Sequence, residues 1–284
     1  MVYYVCFLAF GDNLISLSLL EQLDQKINIL GTNYTKNISL LMNNPDQFSI
    51  KIVFNDIPSF YDMRKKGLIQ AIKDMYKFLN YIKENNITEM IFEKKDFRSI
   101  LISILTHSKI HYPNSSNRNI YENRKHIIEN IYKKQVTLNR YTLKIRKNKT
   151  IVINPLTRMK QKNIEHEHLK YIIDVINKNN YKIYLIDIEK KYEIFSSKVQ
   201  HYLTNTTLDD IKNLILECDL YIGGDSFLIH LAYYLKRNYF MILYTNNDDF
   251  SPPNIEDVFY IKAHHCNNFN KEINQKFFEI GLIV

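Results

Sequence analysis

Asp219-Leu-Tyr-Ile-Gly-Gly-Asp-Ser-Phe-Leu-Ile-His-Leu-Ala-Tyr-Tyr-Leu-Lys236 is the stretch whose reading decides the fold. Leu220–Ile222 is a short apolar strand. Gly223-Gly224 ends it, and Asp225-Ser226 opens a run in which apolar residues recur at helical spacing. The glycines allow a tight turn and close backbone approach, and Asp225 or Ser226 suits the capping of the first helical amides. The remaining amides, at the positive end of the helix dipole, suit a phosphate or diphosphate. Taken alone, such a unit is equally a packed turn, so the rest of the chain has to choose between the two.

Working outward, the same strand-to-helix alternation fills both halves. Val2–Phe10 reads as a buried strand, and Gly11-Asp12-Asn13 breaks it before a helix at Leu14–Leu23. Lys26–Gly31, Ser49–Phe54, Glu89–Phe92 and Lys109–Tyr112 read as further strands. Gly67–Glu84 is a helix with Ile69, Ile72, Met75, Tyr76, Leu79 and Ile82 on one face. Between Asn114 and Lys149 the sequence turns polar and basic, with a helical stretch at Tyr121–Lys134, which places a domain boundary there. The alternation restarts with strands Thr150–Ile153 and Lys182–Ile186 and helices Glu165–Asn177 and Asp209–Glu217. After the central unit come strands Tyr239–Tyr244 and Val258–Ile261, a polar loop Thr245–Asn254 between them, and a helix Lys271–Ile280. The expected class is α/β, with two doubly wound Rossmann-like domains, 1–135 (and a linker to about 149) and 150–284, facing a cleft. In such sheets ligands bind beyond the carboxyl ends of the strands. Asp12, the loop Asn154–Lys162 and Asp225–His230 all fall at such ends.

Composition narrows the class. Of 284 residues, 45% are hydrophobic and 24% charged, ordinary for a globular chain. No apolar run is long enough to span a bilayer, and Met-Val-Tyr-Tyr-Val-Cys carries no basic leader with a cleavage site, so a cytoplasmic protein is expected. Cys6, Cys218 and Cys266 are too far apart for a paired metal-ligand spacing, and Cys6 and Cys218 sit in core-like surroundings. The net charge of +8 fits nucleic acid, an anionic membrane surface or an acidic substrate. The basic residues are spread through a Lys-, Asn-, Ile- and Tyr-rich chain without a base-stacking pattern, which argues against nucleic acid.

Three stretches carry a family resemblance. Tyr221-Ile-Gly-Gly-Asp-Ser-Phe-Leu-Ile-His-Leu-Ala232 resembles the signature of the ADP-heptose heptosyltransferases, glycosyltransferase family 9, in which a strand ends in Asp-Thr/Ser-Gly followed by His-Leu-Ala. Thr157-Arg158-Met-Lys-Gln-Lys162-Asn-Ile-Glu-His-Glu-His168 is similar to that family's Thr-Arg…Lys-x-Trp-Pro-x-Glu loop, and Phe10-Gly-Asp-Asn-Leu14 to its N-terminal Gly-Asp loop. Three departures stand out: Phe227 takes the place of a glycine, Ile164 that of a Trp, and the Thr157–Lys162 loop is one residue longer.

The resemblance implies a GT-B fold and an inverting, metal-independent transfer, without cofactor, from a nucleotide-diphosphate sugar, ADP-heptose, to a bacterial lipopolysaccharide or related surface glycan. Asp12 would be the base for the acceptor hydroxyl; as a residue it is equally an N-cap for Leu14–Leu23. Lys162 and the helix after Asp225-Ser226 would stabilise the departing diphosphate; in a Lys-rich chain Lys162 is otherwise a solvated lysine. Asp225 would orient Lys162 or cap the helix. Thr157, Arg158, Gly224, Phe227 and His230 join the expected donor site, His230 being otherwise a core histidine. Glu189 and Glu193, after the second strand of the domain, suit ribose hydroxyls, against a default of solvated surface. Asn13, Arg64, Lys66 and Arg98 are expected at an anionic acceptor. Peripheral contact with the inner face of the inner membrane is expected with such an acceptor. The rival readings are a UDP- or GDP-sugar donor, and a non-catalytic relative that binds sugar nucleotides.

Overall fold

The computed structural model describes residues 1–113, 119–138, 148–245, 248–253 and 259–283. Much of the expected linker, part of the loop Thr245–Asn254 and residue 258 of the last expected strand therefore lie outside the described residues. The chain forms two compact units, Met1–Leu138 and Asn139–Val284.

The first unit runs β1 (Val2–Cys6), α1 (Phe10–Leu20), β2 (Ile27–Thr32), α2 (Asn33–Ser39), β3 (Phe48–Phe54), α3 (Met63–Lys66), α4 (Leu68–Glu84), β4 (Glu89–Phe92), α5 (Phe97–Thr106), β5 (Lys109–His111) and α6 (Ile120–Tyr132). Its five strands are parallel in the order β3-β2-β1-β4-β5. The chain leaves β1 towards β2 and β3, then returns to β4 on the other side of β1. Right-handed crossovers therefore put α1 and α2 on one face and α4 and α5 on the other. Contacts agree: α1 packs on α2 and α6, and α4 on α5. The core under α4 and α5 joins Tyr3, Val5, Phe54, Phe78, Met90 and Ile102, with the Phe7 ring edge-on to Phe54 and Phe78 at 5.3 and 5.0 Å.

The second unit runs β6 (Thr150–Asn154), α7 (His166–Lys178), β7 (Lys182–Ile186), β8 (His201–Leu203), α8 (Leu208–Glu217), β9 (Leu220–Gly224), α9 (Phe227–Tyr234), β10 (Tyr239–Leu243), β11 (Tyr260–Lys262) and α10 (Phe269–Glu279). Six parallel strands follow the order β11-β10-β9-β6-β7-β8. β6 and β9 are neighbours from which the chain winds in opposite directions, as β1 and β4 are in the first unit. Strands buried on both faces read as continuous apolar runs, and for that reason β6, β9 and β10 are legible in sequence.

Several expectations are corrected. The first helix starts at Phe10, with Ala9 as its N-cap, so Gly11, Asp12 and Asn13 lie in its first turn and do not break it. Gly11 has no positive φ to force a turn, Phe10 packs edge-on to Tyr34 at 4.6 Å, and a carboxylate in a first turn is favoured by the helix dipole. In α4 the residues that turn inward are Ala71, Phe78 and Ile82, while Ile69, Ile72 and Tyr76 are exposed. The short elements α2, α5 and β8 were not anticipated; α2 and α5 are each set by a capping box, Thr32 with Thr35 and Asp96 with Ser99.

Candidate active site

The crevice beyond neighbouring strands that wind apart is where an open parallel sheet binds ligands. In the second unit those strands are β6 and β9, and each sends one charge there. Lys162 follows β6 and is 9% exposed; Asp225 follows β9. Their side chains form an ion pair, Lys162 Nζ donating to Asp225 Oδ2. With both side chains largely withdrawn from water, such a pair is held by geometry and leaves a costly charge if either partner is removed.

The loop that carries Lys162 is tied down by its own residues. Thr157 N donates to Asn163 Oδ1 at 2.8 Å, Thr157 Oγ1 to Met159 O at 2.7 Å, and Leu156 N to Asn154 Oδ1 at 2.8 Å. A Cβ on Gly224 would lie 2.8 Å from Lys162 O and 2.9 Å from Thr157 Cγ2. Only glycine lets the end of β9 lie against this loop.

Helix α9 begins directly after the ion pair. Ser226 is its N-cap with extended backbone, but no side chain caps it, which corrects the expectation that Asp225 or Ser226 would do so. The Asp225 carboxylate is engaged by the ammonium of Lys162, a stronger partner than an amide. Phe227 is the first residue of α9 and has no positive φ, so the backbone places no demand for glycine there. His230 is 5% exposed within a helix buried all round.

Of the other residues expected at the donor, Arg158 is exposed on the loop, and Glu189 and Glu193 are exposed on the segment after β7, where Glu189 pairs with Lys191. That segment is shaped by Asp187, wholly buried at the end of β7. It accepts from Lys191 N at 3.1 Å, Tyr192 N at 2.6 Å and the Tyr202 hydroxyl at 2.7 Å. Sequence reasoning missed Asp187, and also His168 and Tyr244. His168 Nδ1 lies 2.6 Å from the Tyr244 hydroxyl, just past β10, and its ring stacks on Phe269 at 3.7 Å. Burial holds the His168 imidazole below its usual value, with the Glu165 and Glu167 charges opposing.

In the first unit the corresponding strands are β1 and β4. Asp12 follows β1, with its side chain 24% exposed, and Glu93 follows β4, 3% exposed. Between them lies Arg124 of α6, 1% exposed. Its Nη2 is 3.0 Å from Asp12 Oδ1 and 3.5 Å from Glu93 Oε1, and its Nη1 donates to Asp12 O. Ser16 Oγ donates to Glu93 Oε1 at 2.5 Å and is 3.2 Å from the Tyr4 hydroxyl. Burial pushes the Glu93 carboxyl up to about 7, with the Arg124 charge opposing and the Asp12 charge adding. Neither Arg124 nor Glu93 was anticipated. The sequence carries no signal for either: Arg124 stands in the polar run Glu122-Asn-Arg-Lys-His126, and Glu93 directly precedes Lys94-Lys95-Asp96.

The expected acceptor residues are dispersed within this unit. Asn13 is wholly buried and donates from Nδ2 to Leu8 O at 3.1 Å, holding the turn before α1. Arg98 pairs with Asp96, donates to Phe60 O at 2.7 Å and lies over the Tyr61 ring at 4.5 Å. Lys66 bridges Asp56 at 2.9 Å and Ile57 O at 2.7 Å, while Arg64 is exposed on α3.

Comparison with known proteins supplies the class. The fold matches the E. coli heptosyltransferase WaaC solved with ADP-2-deoxy-2-fluoro heptose, with a TM-score of 0.68, 13% identity, and coverage of 98% of this chain and 99% of that one. It matches the E. coli ADP-heptose lps heptosyltransferase II with a TM-score of 0.63, 15% identity, and coverage of 98% and 99%. A family 9 glycosyl transferase from Veillonella parvula matches with a TM-score of 0.67, 12% identity, and coverage of 98% and 96%. No protein of curated function matches the sequence significantly. The profile of glycosyltransferase family 9 (heptosyltransferase) matches residues 106–276, more than half of the chain. The chain therefore belongs to glycosyltransferase family 9 and is a glycosyltransferase with the fold of the GT-B heptosyltransferases.

Proposed function

We propose that this glycosyltransferase moves heptose from ADP-heptose onto an anionic lipopolysaccharide or related surface-glycan acceptor, in the cytoplasm at the inner face of the membrane, by a single inverting displacement without metal. The observation that carries the reading is the buried Lys162–Asp225 pair between β6 and β9, directly before the N-terminus of α9. In this reading the second unit holds the donor. Lys162 and the amide end of α9 take up the charge that develops on the diphosphate as the bond from the sugar C1 to its oxygen breaks. Asp225 keeps the ammonium in place. Thr157, Arg158, Gly224, Ser226, Phe227 and His230 belong to the same donor site, with Glu189 and Glu193 towards the ribose.

The first unit holds the acceptor in this reading. The Asp12 carboxylate takes the proton of the acceptor hydroxyl as that oxygen forms its bond to C1, so the sugar is passed with inversion and ADP departs. Arg124 fixes the carboxylate by one edge, which is the positioning a base needs. Metal independence is supported by the cation already present, Lys162, at the site where charge develops. Arg64, Lys66 and Arg98 would face the anionic part of the acceptor.

Calorimetric titration of ADP, UDP and GDP in the presence of a chelator tests this, with wild type and Lys162→Ala. The expected result is selective binding of ADP, weakened at least about ten-fold by the substitution, as loss of a charge-assisted phosphate contact should. Preference for UDP or GDP would replace the donor. Undiminished binding by Lys162→Ala would remove Lys162 from the site. Turnover of ADP-heptose by wild type and its loss in Asp12→Asn, with ADP affinity kept, separates an enzyme from a binding protein.

A further inference from the structure

Helices α4 and α5 cover one face of the first sheet, and each is amphipathic twice. The inward stripe of α4 is Ala71, Phe78 and Ile82, and α5 buries Ile102. A second apolar stripe lies away from the core on each. On α4 it is Ile69, Ile72 and Tyr76, at spacings of three and four residues, 61 to 73% exposed. On α5 it is Phe97, Ile100 and Ile104 at the same spacings, 40 to 77% exposed. The two helices pack against each other, so the stripes belong to one surface. Large exposed apolar side chains are ordinary when scattered and informative when contiguous.

The charge around this surface is basic. Between Met63 and Thr106 the sequence has nine Lys and Arg against five Asp and Glu, a difference of +4 and half of the +8 of the chain. Four of the five acids are turned to other uses: Asp74 accepts from Ser59 N, Glu93 is buried, Asp96 pairs with Arg98 and Glu89 with His111, while Glu84 is exposed at the end of α4. Lys73, next to Ile72, and Lys94 and Lys95, before Phe97, are exposed.

We infer that the outer face of α4 and α5 docks on an anionic lipid surface, with Ile69, Ile72, Tyr76, Phe97 and Ile104 entering the boundary between headgroups and acyl chains and the lysines on the headgroups. An apolar stripe flanked by lysine, on helices too short and too polar to span, is the pattern of an interfacial segment. Each lysine near an anionic surface adds about 1 kcal/mol. A second copy of this chain fits less well, since a two-fold contact would set this basic surface against itself. The inference rests on the proposed glycolipid acceptor only for its purpose; the surface is testable without it.

The test is cosedimentation with vesicles of phosphatidylcholine, with or without phosphatidylglycerol, and containing no glycolipid. Wild type should bind the anionic vesicles and leave the neutral ones. Ile69→Ser with Ile72→Ser should lower the partition coefficient at least about ten-fold, since each buried apolar side chain contributes on the order of 1.5–3 kcal/mol. Lys73→Glu with Lys94→Glu should also weaken it. All these positions are exposed, so melting temperature and ADP affinity should be unchanged, which separates failure here from failure of the proposed donor site. Absence of anionic vesicle binding by protein that still binds ADP would overturn the inference. So would binding indifferent to the serine substitutions, which would mean charge alone, or sedimentation equilibrium showing a dimer that those substitutions dissolve.

Discussion

Arg124 carries one positive charge between two carboxylates, and the balance of that group sets two measurable quantities. Replacing Arg124 with methionine leaves Asp12 and Glu93 facing each other with no cation, one of them buried. Urea denaturation should show a loss of about 3–5 kcal/mol, the usual cost of breaking a buried pair from one side. Glu93 titrates in the opposite sense from a salt-bridged surface acid. Its carboxyl is raised from 4.5 to about 7, so between these values the folded chain keeps a proton that the unfolded chain has lost. Stability contributed by this group therefore falls as pH rises through that window, by about 3 kcal/mol at most at 1.36 kcal/mol per unit. The charged and titratable neighbours are Asp12, Arg124, Tyr4 and Cys6, and burial pushes the last two well up, keeping them neutral there. Melting curves of Glu93→Gln should lack this decline between pH 5 and 7 relative to wild type. Equal pH dependence in both would show that Glu93 is ionised throughout.

At the scale of elements, the junction of β9 and α9 depends on close contact with the loop that carries Lys162. Gly224→Ala sets a Cβ 2.8 Å from a backbone oxygen and 2.9 Å from Thr157 Cγ2, and a backbone cannot yield cheaply. The expected cost is about 1–3 kcal/mol of stability, as for overpacking generally. In the proposed reading, a fall in ADP affinity should accompany it, because the strand end, loop and helix shift together. Thr207 and Asp210 form the capping box of helix α8, and Thr207→Ala should cost about 1 kcal/mol in urea denaturation.

For the whole molecule, the two units bury separate cores, one around Phe54, Phe78 and Met90, the other around Ile153, Ile172 and Phe240. If the second unit holds the donor, saturating ADP should slow amide exchange in the loop Thr157–Asn163 and in α9. The cores of both units should exchange only through larger openings. ADP at about 100 times its dissociation constant should add about 2.7 kcal/mol to the stability of the unit that binds it. Protection by ADP confined to the first unit would reverse the proposed assignment of donor and acceptor. Chain order alone would not have ranked the two units, since each has a strand pair that winds apart and each places a cation and a carboxylate beyond it.

What the sequence determined by itself is local and periodic. Apolar runs of strand length, helical spacing and the glycines of the central stretch made the α/β class and the two windings legible. The strand ends pointed to Asp12, the loop Asn154–Lys162 and Asp225–His230, and it took the family resemblance to single out Asp12 and Lys162 among them. The tertiary structure decided everything that depends on strand order. Glu93 meets Ser16 across 77 positions because β4 lies beside β1, and Arg124 meets Asp12 across 112 because α6 packs on α1. Lys162 finds Asp225 across 63 positions because β9 lies beside β6. It also decided which stripe of α4 is core: Ala71 and Phe78 lie against the sheet, and Ile69, Ile72 and Tyr76, equally apolar and equally spaced, do not. Periodicity shows that a helix has an apolar face; only the packing of that helix on its sheet selects between two such faces.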